Sequence, residues 1–573
     1  MTTTVHNADI ARAFDEIADL LELEGANPFR VRAYRNAARV VGEMRLDLPA
    51  RLAEGGELPK IAGVGADLEG KIREIAASGT CAQLDELRGR FPRGITELLR
   101  LPGLGPKRVA ELHARLKIDN VAQLERAARA GRLRELPGFG EKSERRILEA
   151  AGARLDKAQR FKRAVAEQYA EPLARYLGAV VAGSYRRMKD TVGDLDFLVA
   201  SAAPHEAIER FVGYAEVKEV LARGVTKAVV LLAGGIQADL RAVPPESFGA
   251  ALHYFTGSKA HNIKVRKLGL ARGLKINEYG VFRGARRIAG RTEESVYAAV
   301  GLPYIEPELR EDEGEIEAAA RGELPELVTL ADLQGDLHAH TDASDGRDSL
   351  ETMVAAARSR GLHYMAITDH SPRLAMTHGL DPARLARQGA RIDAINAAHP
   401  GIAVLKGIEV DILEDGGLDL PDSALERLDL VVAAVHGGFK LPRARQTARI
   451  LAAMDHPLVS ILAHPTARLI GEREAIDVDM AAIARKAAER GIALELNAHP
   501  DRLDMNDAHC RLAREAGAIV AIGTDAHAAD GFDVLRHGVG QARRGWLTKA
   551  DVLNTRSVAR VRKALARAGH HFA

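Results

Sequence analysis

Gly183-Ser184-Tyr185-Arg186-Arg187-Met188-Lys189-Asp190-Thr191-Val192-Gly193-Asp194-Leu195-Asp196 is the stretch that decides how the middle of this chain is read. Two carboxylates one residue apart on a strand share a face, so Asp194 and Asp196 are placed to hold divalent metals together. The Gly-Ser turn upstream offers backbone N–H groups and a hydroxyl to phosphate oxygens. Asp-x-Asp alone also describes a solvated strand end. The reading moves to a metal-bound nucleotide because Arg186 and Arg187 accompany it, with a third carboxylate, Asp239, in Gly235-Ile236-Gln237-Ala238-Asp239-Leu240-Arg241.

Around that stretch, 151–243 alternates helical and β-like patterns. Ala179–Gly183, Leu195–Val199, Ala228–Leu232 and Ile236–Val243 are the strand candidates, and Pro244 with Pro245 closes the segment. A smaller mixed region runs to about Pro303. Pro307–Glu326, rich in Pro and Glu, reads as a surface linker or a connecting helix.

Upstream, from Asn7 to about Ala150, apolar residues recur at three- and four-residue spacing, the mark of helices. Three breaks share an apolar-x-Gly-apolar-Gly core: Ile61-Ala62-Gly63-Val64-Gly65, Leu101-Pro102-Gly103-Leu104-Gly105 and Leu136-Pro137-Gly138-Phe139-Gly140. Each precedes a helical run, which is the helix-hairpin-helix signature: glycines admit a phosphate, and the next helix offers unpaired N–H groups and its positive dipole end. A lone Gly-x-Gly is more often an ordinary helix end; three in series favour nucleic-acid backbone binding. Lys107, Arg108, Lys142, Arg145 and Arg146 flank the later copies, and such contacts read phosphate rather than sequence.

Downstream of Asp332 about seven apolar strand candidates alternate with helical segments, which predicts a parallel α/β barrel. They are Gly335–His338, Tyr364–Thr368, Ile402–Leu405 with Gly407–Val410, Leu428–Val435, Val459–Ala463, Ile492–Leu496 and Ala518–Ile522. His338, His340, Asp345, His370, Glu409, His436, His464, Asp525 and His527 fall at or just beyond their C-terminal ends, where barrel active sites lie. One buried histidine is usually structural, but six on successive strand ends are a metal centre. Imidazole and carboxylate together suit Zn²⁺, Mn²⁺ or Fe, and nine ligands imply two or three ions.

Length and composition bound these readings. At 573 residues the chain exceeds one core and suggests three to five domains. Its net charge of +2 conceals basic residues concentrated from Arg90 to Arg163 and acidic ones from Glu306 to Glu326, so one region, not the whole chain, suits a polyanion. Two distant cysteines, Cys81 and Cys510, exclude a disulfide framework and a cysteine zinc site, which fits a reducing cytoplasm. The N-terminus carries His6, Asp9, Arg12, Asp15 and Glu16 before any long apolar stretch, so neither export nor a membrane anchor is expected.

The order of motifs over residues 1 to about 318 resembles a bacterial family X DNA polymerase, a relative of the repair polymerase beta. Besides the Gly-Ser … Asp-x-Asp run, Tyr254-Phe255-Thr256-Gly257-Ser258, Asn262, Arg266 and Asn277-Glu278-Tyr279 carry the likeness. It implies that Asp194, Asp196 and Asp239 hold two Mg²⁺ or Mn²⁺ ions for attack of a primer 3′-hydroxyl on the α-phosphate of a nucleotide. Gly183, Ser184, Arg187 and Gly193 match the positions that hold the triphosphate. Tyr254, Phe255 and Gly257 match the segment against the sugar, with plain core packing as the competing role for the two aromatics. Asn262 matches a contact to the incoming base edge and Arg266 one to the template strand. Met188 departs from the family glycine, so the loop shape is expected to differ.

In the hairpins the resemblance implies DNA contacts by Gly63, Gly65, Gly103, Gly105, Lys107, Gly138, Gly140 and Lys142. Lys71 falls where beta-type enzymes carry a Schiff-base lysine that removes 5′-deoxyribose phosphate, with Arg30 and Tyr34 at supporting positions. Asp67 stands where that family has a lysine, and Thr80-Cys81-Ala82-Gln83 replaces a lysine-rich stretch; both argue against lyase activity.

Residues from about Asp332 to Ala573 resemble a PHP (polymerase and histidinol phosphatase) domain, with all nine ligand types in place. That implies a Mn²⁺-dependent 3′–5′ exonuclease, with apurinic-site endonuclease or 3′-phosphatase as further activities of the same centre. Arg468, Arg502 and Asp369 are candidates to orient phosphate or water, against ordinary ion pairing.

The expected protein is multidomain, with all-α helix-hairpin-helix parts, an α+β nucleotidyltransferase palm and a C-terminal α/β PHP barrel. The expected boundaries are 1–90 (lyase-like hairpin domain), 91–150 (DNA-binding hairpins), 151–245 (palm), 246–318 (nucleotide and template subdomain), 319–333 (linker) and 334–573 (PHP). The expected function is short-gap repair synthesis with end trimming, on gapped or nicked DNA with deoxynucleoside triphosphates, by a cytoplasmic, nucleoid-associated monomer. The rivals are template-independent addition to RNA, a DNA-tethered metal phosphoesterase and a silent DNA-binding scaffold.

Overall fold

Among the described residues up to Asp156, three- and four-residue apolar spacing becomes a succession of helices. The computed structural model describes residues 5–565 apart from 45, 47, 62, 93, 100, 102, 103 and 157–159. Its longest N-terminal helices are Asn7–Leu23, Pro28–Glu43, Ala66–Ser78, Pro106–Leu116 and Glu141–Asp156. Their apolar faces meet in one core that includes Phe14, Ile17, Leu21, Ile72, Leu84, Val109, Leu112 and Leu124. Local chemistry sets the ends: the Asn27 side chain caps Pro28–Glu43 by accepting from the Phe29 N–H, and Gly79 closes Ala66–Ser78 at φ 77°.

The chain divides into two compact units. One comprises Met1–Val181 with Thr191–Pro245, and the other Ala182–Asp190 with Glu246–Ala573. In the first, a five-stranded sheet has the order Val180–Val181, Asp194–Ala200, Gln237–Val243, Lys227–Leu232 and Val217–Arg223. The last strand has no counterpart in the sequence reading. It is an edge strand whose side chains are almost all exposed, so it lacks the apolar alternation that reveals its neighbours.

The second unit holds helices Phe248–Thr256 and Lys259–Leu270, a three-stranded antiparallel sheet and a seven-stranded parallel sheet in sequential order. The parallel strands are apolar and buried on both faces, as strands covered by helices must be. Met365, Ile367, Val404, Val431, Ala433, Leu494 and Val520 pack in the core shared with the surrounding helices. Tyr364, Ala366, Leu405, Leu430, Val432, Ala434 and Ala521 form a second core with Leu553 and Val561. A parallel bridge from Ala339 to Ala526 brings the first and last strands together, so the barrel is nearly closed.

Some expectations change in detail. The paired candidates around Gly407 are one strand, Ala403–Asp411, whereas Val459–Ala463 shrinks to Ile461–Leu462. Pro307–Glu326 follows the helical alternative rather than the surface linker: it contains helix Glu315–Arg321, with Leu309, Arg310, Glu315, Ile316, Ala318 and Ala319 buried. Its acidity has a structural use, because Glu308 meets Arg543 at 2.6 Å, Glu313 meets Arg511 at 2.6 Å and Glu315 meets His261 at 2.6 Å.

Candidate metal centres and DNA-contacting turns

All nine histidine and carboxylate candidates of the barrel converge. Three overlapping groups have ligand atoms within 4.8 Å of one another: His340, Asp345, His370 and His527; His338, His340 and Asp525; and His370, Glu409 and His436. Glu409 is the hub, with Oε2 2.9 Å from His370 Nδ1 and Oε1 3.0 Å from His464 Nε2 and 3.2 Å from His436 Nε2. Asp525 Oδ1 lies 3.1 Å from His340 Nε2, and Asp345 Oδ1 3.4 Å from His527 Nε2.

The donors suit divalent ions. His338 Nε2, both ring nitrogens of His340, Glu409 Oε2 and His464 Nδ1 are buried without a hydrogen-bond partner. Orphaned polar atoms at such depth are costly unless something else engages them. Several converging imidazoles and carboxylates are what Zn²⁺, Mn²⁺ or Fe requires.

The electrostatics of the cluster balance internally. Burial opposes charge on His338, but Glu495, Glu409 and Asp525 hold it well above its ordinary value. Burial likewise opposes charge on His436 and His527, yet Glu409 with Asp411 raises the first to about 10 and Asp345 the second to about 9. His340 goes the other way, lowered to about 4 by burial and by His527 and His370. Glu409, Asp345 and Asp525 stay ionised against burial because histidines surround them.

Residues behind the ligands escaped the sequence reading. Glu495 Oε1 meets His338 Nδ1 at 2.5 Å, while Glu495 Oε2 accepts from the His464 N–H at 2.8 Å. Asp411 meets His436 Nδ1 at 2.8 Å, and the Asn497 amide donates to Asp525 at 3.0 Å. The available signal for Glu495 was a carboxylate inside the otherwise apolar run 493–496. Asp369, a candidate for orienting phosphate, instead accepts from the Thr341 N–H at 2.8 Å and its hydroxyl at 2.6 Å, fixing the turn that carries Asp345. Arg502 lies 3.4 Å from Asp525, whereas Arg468 donates to Leu503 O at 2.5 Å and pairs with Asp190.

In the first unit the three acidic candidates share one sheet face. Asp194–Ala200 and Gln237–Val243 pair in parallel with Asp196 opposite Asp239 and Asp194 opposite Gln237. Leu195, Phe197, Ala238 and Leu240 are buried on the other face, so alternation alone brings the carboxylates together. The Gln237 amide donates to Asp239 at 2.8 Å, and Lys227 lies 3.4 Å from it. Burial, and then the Asp239 charge, hold the Asp194 carboxyl above its ordinary value. Gly193 precedes Asp194, with Arg160 alongside.

Other nucleotide candidates lie in the second unit. Gly183 adopts φ 62° at the start of the turn bearing Ser184, and Arg187 Nε bonds Glu311 at 3.0 Å with Nη1 on the Thr256 carbonyl. Gly257, at φ 71°, lies against that guanidinium. Tyr254 is 36% exposed, which removes core packing as its role, while Phe255 is half-buried against it. The Asn262 amide donates to Tyr254 O at 2.7 Å, and Arg266 is exposed.

The hairpin turns keep their expected form where described. Gly63 and Gly138 are left-handed at φ 74° and 80°, and Gly65 and Gly105 cap the next helices. Among the described residues, chain neighbours aside, no atom lies within 4 Å of where a Cβ would stand at Gly65, Gly105, Gly138 or Gly140, leaving the backbone approachable. Lys107 and Lys142 are exposed; Arg108 instead donates to Gly138 O at 3.1 Å, tying two hairpins together. Gly103 lies outside the described residues. Lys71 is paired with Asp67 at 2.5 Å; burial opposes its charge, but Asp67 and Tyr34 together outweigh it and raise the amine, the reverse of what a Schiff-base nucleophile needs.

Comparison with known proteins adds to this geometry. Residues 5–81 match a helix-hairpin-helix domain, 95–153 a SAM-like helix-hairpin-helix tandem, 251–311 the DNA polymerase beta thumb and 336–499 a PHP domain. Over 574 aligned residues, 98% of this chain and 100% of the relative, the sequence is 38% identical to the DNA polymerase/3′–5′ exonuclease PolX of Bacillus subtilis (strain 168). A probable phosphatase of Thermoanaerobacter sp. (strain X514) is 31% identical over 38% of this chain and 89% of its own length. One from Edwardsiella ictaluri (strain 93-146) is 34% identical over 35% of the chain and 80% of its own length.

Proposed function

This chain belongs to the PolX family of bacterial DNA polymerase/3′–5′ exonucleases, and from that premise we propose that it fills short gaps in DNA at the palm carboxylates and trims 3′ ends at the PHP centre. The observation that carries the proposal is the presence on one chain of two separate carboxylate centres, one open on a sheet face and one buried among histidines. Asp194, Asp196 and Asp239 would hold Mg²⁺ or Mn²⁺. His338, His340, Asp345, His370, Glu409, His436, His464, Asp525 and His527 would hold two or three Mn²⁺, Zn²⁺ or Fe ions. Divalent ions bound there supply positive charge for phosphoryl oxygens and lower the pKa of an attacking hydroxyl or water.

The chain's own groups do the rest. Gly183, Ser184, Arg187 and Gly193 hold the triphosphate, Tyr254, Phe255 and Gly257 contact the sugar, Asn262 the base edge and Arg266 the template. The glycine turns with Lys107 and Lys142 grip the DNA backbone. An apurinic-site endonuclease or 3′-phosphatase activity would belong to the same PHP centre, and cytoplasmic, nucleoid-associated, monomeric action completes the reading. Among the described residues no helix is long and apolar enough to cross a membrane. A DNA-tethered phosphoesterase is the second reading, favoured by the probable phosphatases that match the C-terminal part.

Gapped and 3′-recessed DNA with nucleotides and Mn²⁺ tests both. Asp194→Ala with Asp196→Ala is expected to lower extension about a thousandfold or more, the scale of several kcal/mol of lost charge stabilisation, and to spare degradation. His338→Ala with His340→Ala is expected to do the reverse. Loss of both activities with the Asp pair alone sinks the two-centre assignment, and no extension by the wild type leaves the tethered phosphoesterase.

A further inference from the structure

The loop that carries Ser184 and Arg187 is part of the second unit, and the PHP domain grips it at three points. Arg544 donates to the backbone carbonyl of Arg187 at 2.8 Å. The same guanidinium bonds Glu311 at 2.9 Å and also pairs with Asp507. At 3% exposure its charge is fully engaged by those two carboxylates, and a rigid five-donor fork suits one residue joining three segments. Arg468 meets Asp190 at 3.2 Å at the far end of the loop. Between them the Met188 side chain lies directly on Gly540, where a Cβ would come within 2.1 Å of Met188 Cε.

Met188 makes the third contact informative. It sits at φ 56°, a left-handed conformation that costs a residue with a side chain about 1–2 kcal/mol. A glycine would avoid that cost but would have no side chain to lay on the PHP helix Leu535–Arg544. The strained methionine therefore exchanges backbone comfort for an anchor. Arg187 itself points to Glu311, which also lies 3.4 Å from Lys189, so the acidic strap and the PHP helix hold the loop jointly.

We propose that the PHP domain is a positioning element for polymerisation: Arg544, Arg468 and the Cβ-free surface at Gly540 fix the backbone of Arg187–Asp190 and so set the affinity for the incoming nucleoside triphosphate. Arg544 and Arg468 are positioning residues that act through the loop. The inference rests on the reading of Ser184 and Arg187 as triphosphate contacts.

The test uses the full chain on gapped DNA, measuring KM for nucleotides, KM for DNA, kcat for extension and exonuclease rate. Arg544→Gln is expected to raise the nucleotide KM about tenfold, the scale on which misplaced binding groups act, with DNA KM and exonuclease rate unchanged. Arg544→Gln leaves two half-buried carboxylates poorly matched, so Arg468→Gln and Gly540→Ala are measured beside it, each expected to shift nucleotide KM in the same direction. Unchanged nucleotide KM in Arg468→Gln and Gly540→Ala overturns the proposal, whatever the folding of Arg544→Gln. So does a rise in DNA KM and a fall in exonuclease rate that match the change in nucleotide KM. Arg187→Ala separates the two levels. If it leaves nucleotide KM unchanged, the triphosphate reading of the loop has failed; if it raises KM while the PHP variants do not, only the positioning inference has.

Discussion

The PHP cluster and the palm carboxylates are built for similar ions in opposite ways. In the PHP centre Glu409, His338 and His340 are at most 1% exposed, and positive imidazoles interleave with negative carboxylates. In the palm Asp194 stands at the surface with its carboxyl partly withdrawn from water, and Asp239 adds like charge to it, with Lys227 at 3.4 Å from Asp239. One centre is prepaid in geometry and charge. The other carries like charges that Lys227 and Arg160 offset only in part, which leaves cations from solution more to neutralise.

Chelation gives the largest expected contrast. Removing ions from the PHP centre takes away a ligand bound only by the folded state, worth about 2.7 kcal/mol at a concentration a hundred times Kd. The melting transition of the second unit is expected to fall with chelator and recover with Mn²⁺, while that of the first unit does not move. Loading should also release protons, because His338, His436 and His527 are all held protonated near neutrality in the ion-free cluster. These raised values mean that loading strengthens as pH rises, which calorimetry in buffers of differing ionisation enthalpy would read. Pronounced stabilisation of the first unit by Mn²⁺ alone, equal to that of the second, breaks the contrast.

Single supporting residues give the next contrast. Glu495→Gln weakens the hold on His338 and is expected to lower exonuclease activity or metal affinity by about 10- to 100-fold, the usual effect of a group that orients a metal ligand. Gln237→Leu removes an amide's hydrogen bond to the partly solvated Asp239 carboxylate and should slow extension only about fivefold, matching about 1 kcal/mol. Parallel titrations of each activity against Mn²⁺ would compare them. Equal losses would mean that the palm is as pre-organised as the barrel.

What could be read from the sequence follows the same division. Period-two alternation put Asp194, Asp196 and Asp239 on one face, and strand-end placement gathered the nine candidate barrel ligands, eight in the three close groups and His464 through Glu409, because both depend on local periodicity. Edge strand Val217–Arg223 was invisible because exposure erases that pattern. Glu495 and Asp411 were overlooked because a residue behind a ligand is defined by what folds against it, not by spacing. Residues 182–190 belong to the second unit, where their partners run from Thr256 to Arg544, and no local pattern encodes contacts over such separations.

The smallest effect has the most telling sign. A carboxyl whose folded value is raised penalises the native state when ionised. For Asp194 that penalty is full above its raised value and gone below the ordinary carboxylate value of about 4. Asp194→Asn should therefore stabilise the first unit at neutral pH by about 0.5 kcal/mol, the screened scale of exposed charges, and the gain should vanish as pH falls through the raised value. Glu409 is held well below its ordinary value by histidines once burial is overcome, so ion-free Glu409→Gln should destabilise the second unit instead. That loss is present above the ordinary carboxylate value and fades as pH falls through the lowered one. Ion-free unfolding curves of both variants across pH 3 to 8 would test the pair. If Asp194→Asn destabilised the first unit at pH 7, its carboxylate would be contributing favourably without ions, and the palm would be no more in need of incoming cations than the barrel.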